Sequence, residues 1–284
     1  MSQSDSATVD AARRRTVFFV SDRTGITAEM LGNSLLSQFE TFDFQRRTIP
    51  FVDTPEKIAE VVRRIDATGA ADGKRPLVFS SIVDEAMSAQ LGQVNALFLD
   101  LFQVFIAPLE GELSAKSSHA AGRSHGIANI HEYFARIEAI NFAQAHDDGA
   151  TTRDLSKAQV ILVGVSRCGK TPTTLYLALQ FGVLAANFPL TPDDFADGEL
   201  PASVRPYRDK LFGLTIDPER LQQIRQARRP NSKYASLDNC RYEVREAEAL
   251  MQRERISSID TTSRSIEEIA TTILHRGGLQ RHIF

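Results

Sequence analysis

The chain has only two cysteines among 284 residues, no surplus of positive charge and no apolar run long enough to cross a bilayer. Cys168 and Cys240 stand far apart, which excludes a CxxC redox pair and a cysteine zinc set and points to a reduced, cytoplasmic setting. A formal net charge of -3 removes the overall basic field that dominates non-specific nucleic-acid binding, so no nucleic-acid partner is expected. The apolar stretch at residues 17–20 is too short for a signal core or a membrane span, so no membrane partner is expected either. The Arg13, Arg14, Arg15 triplet before it reads as a solvated flank.

What is present is material for a sizeable core: 42% of residues are hydrophobic and 24% charged, the balance of a globular protein. The length exceeds what one core comfortably serves. Continuous β-prone runs at 16–20, 42–52 and 76–82 alternate with helical patterns at 28–39, 55–68 and 85–92, and a further apolar stretch covers 96–106. Such alternation predicts a parallel sheet covered by helices. Between 107 and 150 the texture turns small and polar before a helical pattern at 130–146. A second alternation follows, with strands expected at 158–163, 184–188, 211–217 and 256–260, and helices at 173–181, 218–228, 240–254 and 265–274. The expected class is α/β: a disordered tail at 1–15, an N-terminal parallel-sheet domain with a connecting segment at 16–150, and a P-loop kinase-like α/β domain at 151–284.

The chemistry is concentrated in Gly164-Val165-Ser166-Arg167-Cys168-Gly169-Lys170-Thr171, which satisfies G-x-x-x-x-G-K-[ST]. It follows an uninterrupted apolar strand signal, 160–163, and opens into a helical pattern, as a phosphate-gripping turn requires. Glycines let the backbone curl so that N–H groups face one anion, and the start of a helix adds its positive dipole end. Lys170 can then reach the outer phosphates of a nucleotide, and the Thr171 hydroxyl can ligand Mg2+. Pro172 suits the first turn of the helix. Cys168 reads as an incidental loop residue whose backbone, not its thiol, matters. Asp217, ending a strand, has two readings of equal weight: a magnesium-linked carboxylate, or the N-cap of the helix opening at Pro218. Asp260 is the second choice for the metal. Arg220 and Arg225 read as a solvated helical face, while Arg228 and Arg229 are open between that and a phosphate-facing role.

The loop continues through Pro172 to Tyr176-Leu-Ala178. His146-Asp-Asp-Gly149 precedes it, and Ser21-Asp-Arg-Thr-Gly25, Tyr133 to Asn141 and Leu211 to Pro218 accompany it. In these segments the chain resembles the bacterial phosphoenolpyruvate synthase regulatory proteins, relatives of the pyruvate, phosphate dikinase regulatory proteins, from about Val17 to the C-terminus. Gly169 before Lys170 resembles the synthase branch. The resemblance implies a bifunctional enzyme. One activity is an ADP-dependent serine/threonine kinase that inactivates phosphoenolpyruvate synthase by phosphorylating a threonine. The other uses inorganic phosphate to remove that group as pyrophosphate. It also implies a homodimer. Asp147 and Asp148 become candidate proton acceptors for the hydroxyl or phosphate nucleophile, not separable from each other in the sequence. Ser21, Asp22 and Thr24 are candidates to face the target or a phosphate. Two readings compete: an ATP-dependent small-molecule P-loop kinase, which would share the features from 158 to 274, and a nucleotide-sensing module without catalysis.

Overall fold

The computed structural model describes residues 13–118 and 130–279. Two compact units divide the chain, Met1–Gly126 and Ile127–Phe284. Most of the expected tail, residues 1–12, lies outside the described residues, but Arg14 and Arg15 do not belong to a tail. They open the first strand, where Arg15 donates to the Arg75 carbonyl.

The first unit is a four-stranded parallel sheet of β1 (Arg14–Val20), β2 (Asp43–Ile49), β3 (Leu77–Ser80) and β4 (Leu97–Asp100), in the order β2-β1-β3-β4. Helices α1 (Ile26–Leu36), α2 (Pro55–Asp72), α3 (Glu85–Leu91) and α4 (Gln103–Leu113) follow the strands in turn. The continuous run of β1 is explained by burial on both faces. Phe18 and Val20 pack with Ile58, Val61 and Ile65 of α2. Val17 and Phe19 pack with Ala28 and Leu36 of α1 on the other face. Thr54 and Asp84 cap α2 and α3 through their side chains, so the starts of both helices are written locally.

In the second unit, β5 (Val160–Gly164), β6 (Ala185–Pro189), β7 (Leu211–Thr215) and β8 (Ser258–Asp260) form a parallel sheet in the order β6-β5-β7-β8. The helices are α5 (Ile130–Ala145), α6 (Lys170–Phe181), α7 (Pro192–Asp197), α8 (Pro218–Arg228), α9 (Leu237–Arg253) and α10 (Ile266–Arg276). Ile161 and Leu162 have no exposed surface; each such side chain contributes about 1.5–3 kcal/mol of burial free energy. Helix α5 falls in this unit, whereas the expectation drew the boundary near 150. The cause is apolar contact: Ala139 and Ala143 bury themselves against Ala178 of α6, and small residues let the two helices approach closely.

Candidate functional site

The site forms where β5 ends. Gly164 sits at φ +152, and a Cβ there would lie 2.3 Å from the Leu214 carbonyl oxygen, so only glycine lets the strand leave the sheet so close to β7. The chain then winds through Val165, Ser166, Arg167 (φ +75) and Cys168 to Gly169 (φ +98), the left-handed N-cap of α6. No side chain caps that helix, so its first-turn N–H groups are left without a capping side-chain oxygen. Helix α6 starts at Lys170, three residues earlier than its apolar pattern.

Lys170 is buried at 3% exposure, and its ammonium donates to the Gly164 and Val165 carbonyls at 3.2 and 3.1 Å. The Asp148 carboxylate is 3.8 Å from the same nitrogen. The Thr171 hydroxyl donates to Asp147 Oδ1 at 2.7 Å. Residues 147 and 148, more than twenty positions earlier in the chain, therefore stand against the two residues at the head of α6. Fixing them takes several contacts. His146, at the end of α5, stacks on Phe142 with centroids 3.9 Å apart, and its two ring nitrogens lie 2.8 and 2.7 Å from the Phe142 and Arg153 carbonyls. The short turn Asp147–Gly149 carries positive φ at Asp148 (+46) and Gly149 (+70), and a Cβ on Gly149 would meet the Phe188 ring at 2.9 Å. Strand β6 holds this turn: the Asn187 N–H donates to the His146 carbonyl at 3.1 Å, and the Asn187 side chain bonds both aspartates.

A second set of contacts shapes the loop from behind. Arg225 of α8 has no exposed surface. It donates to the Ser166 carbonyl at 3.1 Å, to the Tyr234 carbonyl at 3.1 Å and to Glu243 of α9 at 2.6 Å, with its guanidinium 4.1 Å from the Tyr234 ring centroid. The Tyr234 hydroxyl lies 3.0 Å from Ser166 Oγ, and the Thr261 hydroxyl donates to the Cys168 carbonyl at 3.0 Å. This overturns the expectation of a solvated face for Arg225. Its spacing from Leu221, one turn away and also fully buried, was the available signal. Cys168 is buried and its thiol is pushed up by that burial, against the opposing pull of Lys170, which leaves it a poor nucleophile.

Asp217 caps α8: its Oδ1 accepts the Arg220 N–H at 2.8 Å, while its own N–H donates to Thr262 Oγ1. Asp260 Oδ1 accepts from the Thr262 N–H and hydroxyl. The carboxylate that touches Thr171 is thus Asp147, while Asp217 and Asp260 engage Arg220 and Thr262. Asn187 and Tyr234, both in contact with the site, carried no motif in the sequence. As hard oxygen donors 2.7 Å apart, the Thr171 hydroxyl and Asp147 carboxylate suit Mg2+, which takes a few protein oxygens and completes its shell with phosphate oxygens and water.

A parallel α/β unit with a glycine-bounded strand-to-helix loop, a buried lysine at the helix start and two carboxylates against it is the framework of a phosphoryl-transfer protein. The chain belongs to the kinase/pyrophosphorylase family, which it matches over residues 17–274. It is similar to a protein of Aromatoleum aromaticum, 57% identical over 271 residues, or 95% of this chain and 98% of the relative. Proteins of Legionella pneumophila strain Corby (55% identical, 95% and 100% covered) and Bordetella parapertussis (57%, 94% and 97%) are similar as well. All three bear the name phosphoenolpyruvate synthase regulatory protein as a provisional assignment. Among the described residues no helix is long and apolar enough to cross a membrane.

Proposed function

We propose that this protein is a bifunctional regulator of phosphoenolpyruvate synthase, an ADP-dependent serine/threonine kinase and a phosphate-dependent pyrophosphorylase acting through the loop 164–171. The observation that carries this reading is the meeting of Lys170 and Thr171 with Asp148 and Asp147, at 3.8 and 2.7 Å. Family membership and the name of the relatives support the target.

In the kinase direction the target threonine oxygen attacks the β-phosphorus of ADP, a new O–P bond forms, the bond to the AMP oxygen breaks, and the hydroxyl proton passes to one of the two aspartates. Lys170 leaves its carbonyl partners to meet the transferring phosphoryl group, where its charge is worth most as negative charge develops. In the other direction an oxygen of inorganic phosphate attacks the phosphothreonine phosphorus, pyrophosphate leaves, and the threonine oxygen takes a proton back. The same anion cradle serves both. Mg2+, held by Thr171 and Asp147 when bound, supplies neutralisation of charge on the phosphate oxygens.

Incubating the protein with the phosphohistidine form of the synthase and either ADP or ATP tests this reading. Phosphothreonine formed with ADP, located by mass spectrometry and removed as pyrophosphate on adding phosphate, is the expected result. Transfer from ATP alone, or to no protein threonine, would overturn it.

A further inference from the structure

We propose that Asn187 is a positioning residue that gives Asp147 and Asp148 different tasks, which rests on the reading of the loop as the phosphoryl-transfer site. Asn187 lies in β6, in register with Leu162 of β5, and is 1% exposed. A polar side chain so deeply buried has to be satisfied by its neighbours. Its Oδ1 accepts the Asp148 N–H at 2.9 Å. Its Nδ2 donates to Asp147 Oδ1 at 2.6 Å, and lies 3.5 Å from Thr174 Oγ1. One amide therefore reads the backbone of one aspartate and the carboxylate of its neighbour.

The consequence is chemical. Asp147 Oδ1 receives two donors, the Asn187 amide and the Thr171 hydroxyl, which fix it beside Thr171. That oxygen is spoken for as a metal-side anchor. Asn187 bonds Asp148 through its backbone N–H, and the Asp148 side chain is 62% exposed and 3.8 Å from the Lys170 ammonium. Asp148 is free to receive a proton from an incoming hydroxyl, while the left-handed φ of +46 at Asp148 is held in place by the same amide. Asn187 thus separates an anchoring carboxylate from a proton-accepting one. Hydrogen-bond partners that orient metal-side ligands typically carry about 10–100-fold in affinity or activity.

Two variants test this together. Asn187→Ala should lower kcat about 10–100-fold with the KM for ADP changed less than about threefold. In calorimetry it should bind ADP like the unaltered protein without Mg2+ but lose about tenfold of the affinity that Mg2+ adds. Asn187→Asp keeps the shape and the acceptor for the Asp148 N–H but loses the Nδ2 donor to Asp147, so it should lose the Mg2+ gain as the alanine variant does. A merely structural role would leave the Mg2+ gain intact in this near-isosteric variant. Loss confined to the KM for ADP, or an unchanged Mg2+ gain in either variant, would overturn the assignment. The binding experiment decides the matter even if the synthase is never phosphorylated, an outcome that would sink the proposed function instead.

Discussion

The two units solve the same topological problem. Each has four parallel strands with the first strand second in the sheet and the third beside it, β2-β1-β3-β4 and β6-β5-β7-β8. In such sheets ligands gather at the carboxyl end, where the connections diverge. Both first turns end on a left-handed glycine that caps a helix without a side-chain bond, Gly25 at φ +83 and Gly169 at +98. What differs is the charge brought to the strand tip. The first unit buries Asp22, whose Oδ2 accepts the Val83 N–H at 3.3 Å, in a crevice lined by Ser21, Thr24, Gly25 and Ser81. The second buries Lys170. Arg23 lines the same crevice as Asp22, so a common scaffold brings a carboxylate with a guanidinium to one strand tip and a buried ammonium to the other.

The largest effect that bears on this comparison is expected from Arg225→Met. It strands Glu243 without its cation in the interior and should cost about 3–5 kcal/mol in urea unfolding of the second unit. The ion pair Lys57 to Asp53 in the first unit is its exposed counterpart, where the Lys57 hydrogen bond holds the Asp53 carboxyl below its ordinary value. Lys57→Met should leave the unfolding midpoint unchanged. Next comes Lys170→Ala, expected to reduce phosphoryl transfer about 10²–10³-fold with folding intact by circular dichroism. An equal loss in Asp22→Asn would break the comparison by bringing the first turn into the chemistry.

Gly164→Ala should cost about 1–3 kcal/mol of overpacking on top of its φ strain, since its Cβ meets the Leu214 carbonyl and backbone cannot swing aside. Gly169→Ala has open space and should cost about 1–2 kcal/mol through its φ alone. Equal values in denaturant titrations would remove the role given to close approach. The smallest effect concerns Cys168. Its thiol is raised by burial, so the stability it contributes is full below the ordinary thiol range and is lost as pH rises through the raised value. Stability of the unaltered protein measured from pH 8 to pH 10 should decline more steeply than that of Cys168→Ala.

Strand and helix positions were legible because both sheets announce themselves as uninterrupted apolar runs, as in Val17 to Val20 and Val160 to Val163, followed by glycine-bearing turns. The loop was legible for the same reason: its backbone geometry is written in glycine spacing. Where the reading stopped, the missing quantity was tertiary. The stretch 96–106 shows no break in the sequence, yet it splits into β4 and α4, and Pro108 stands inside that helix. Asp217 offered two roles that local sequence weighs equally, and the fold engages it as a cap. Arg225 looked like its solvated neighbours because nothing nearby names Glu243, eighteen residues on, as its partner. Asn187 is one polar residue in an apolar strand, and its meaning depends on a turn forty residues earlier.

The bonds from Arg225 and Thr261 to the Ser166 and Cys168 carbonyls carry a lesson for protein engineering. A graft of the strand, loop and helix alone onto a foreign sheet would transplant the signature letters without the downstream struts that bend them, and the recipient would inherit a spelling without its pronunciation.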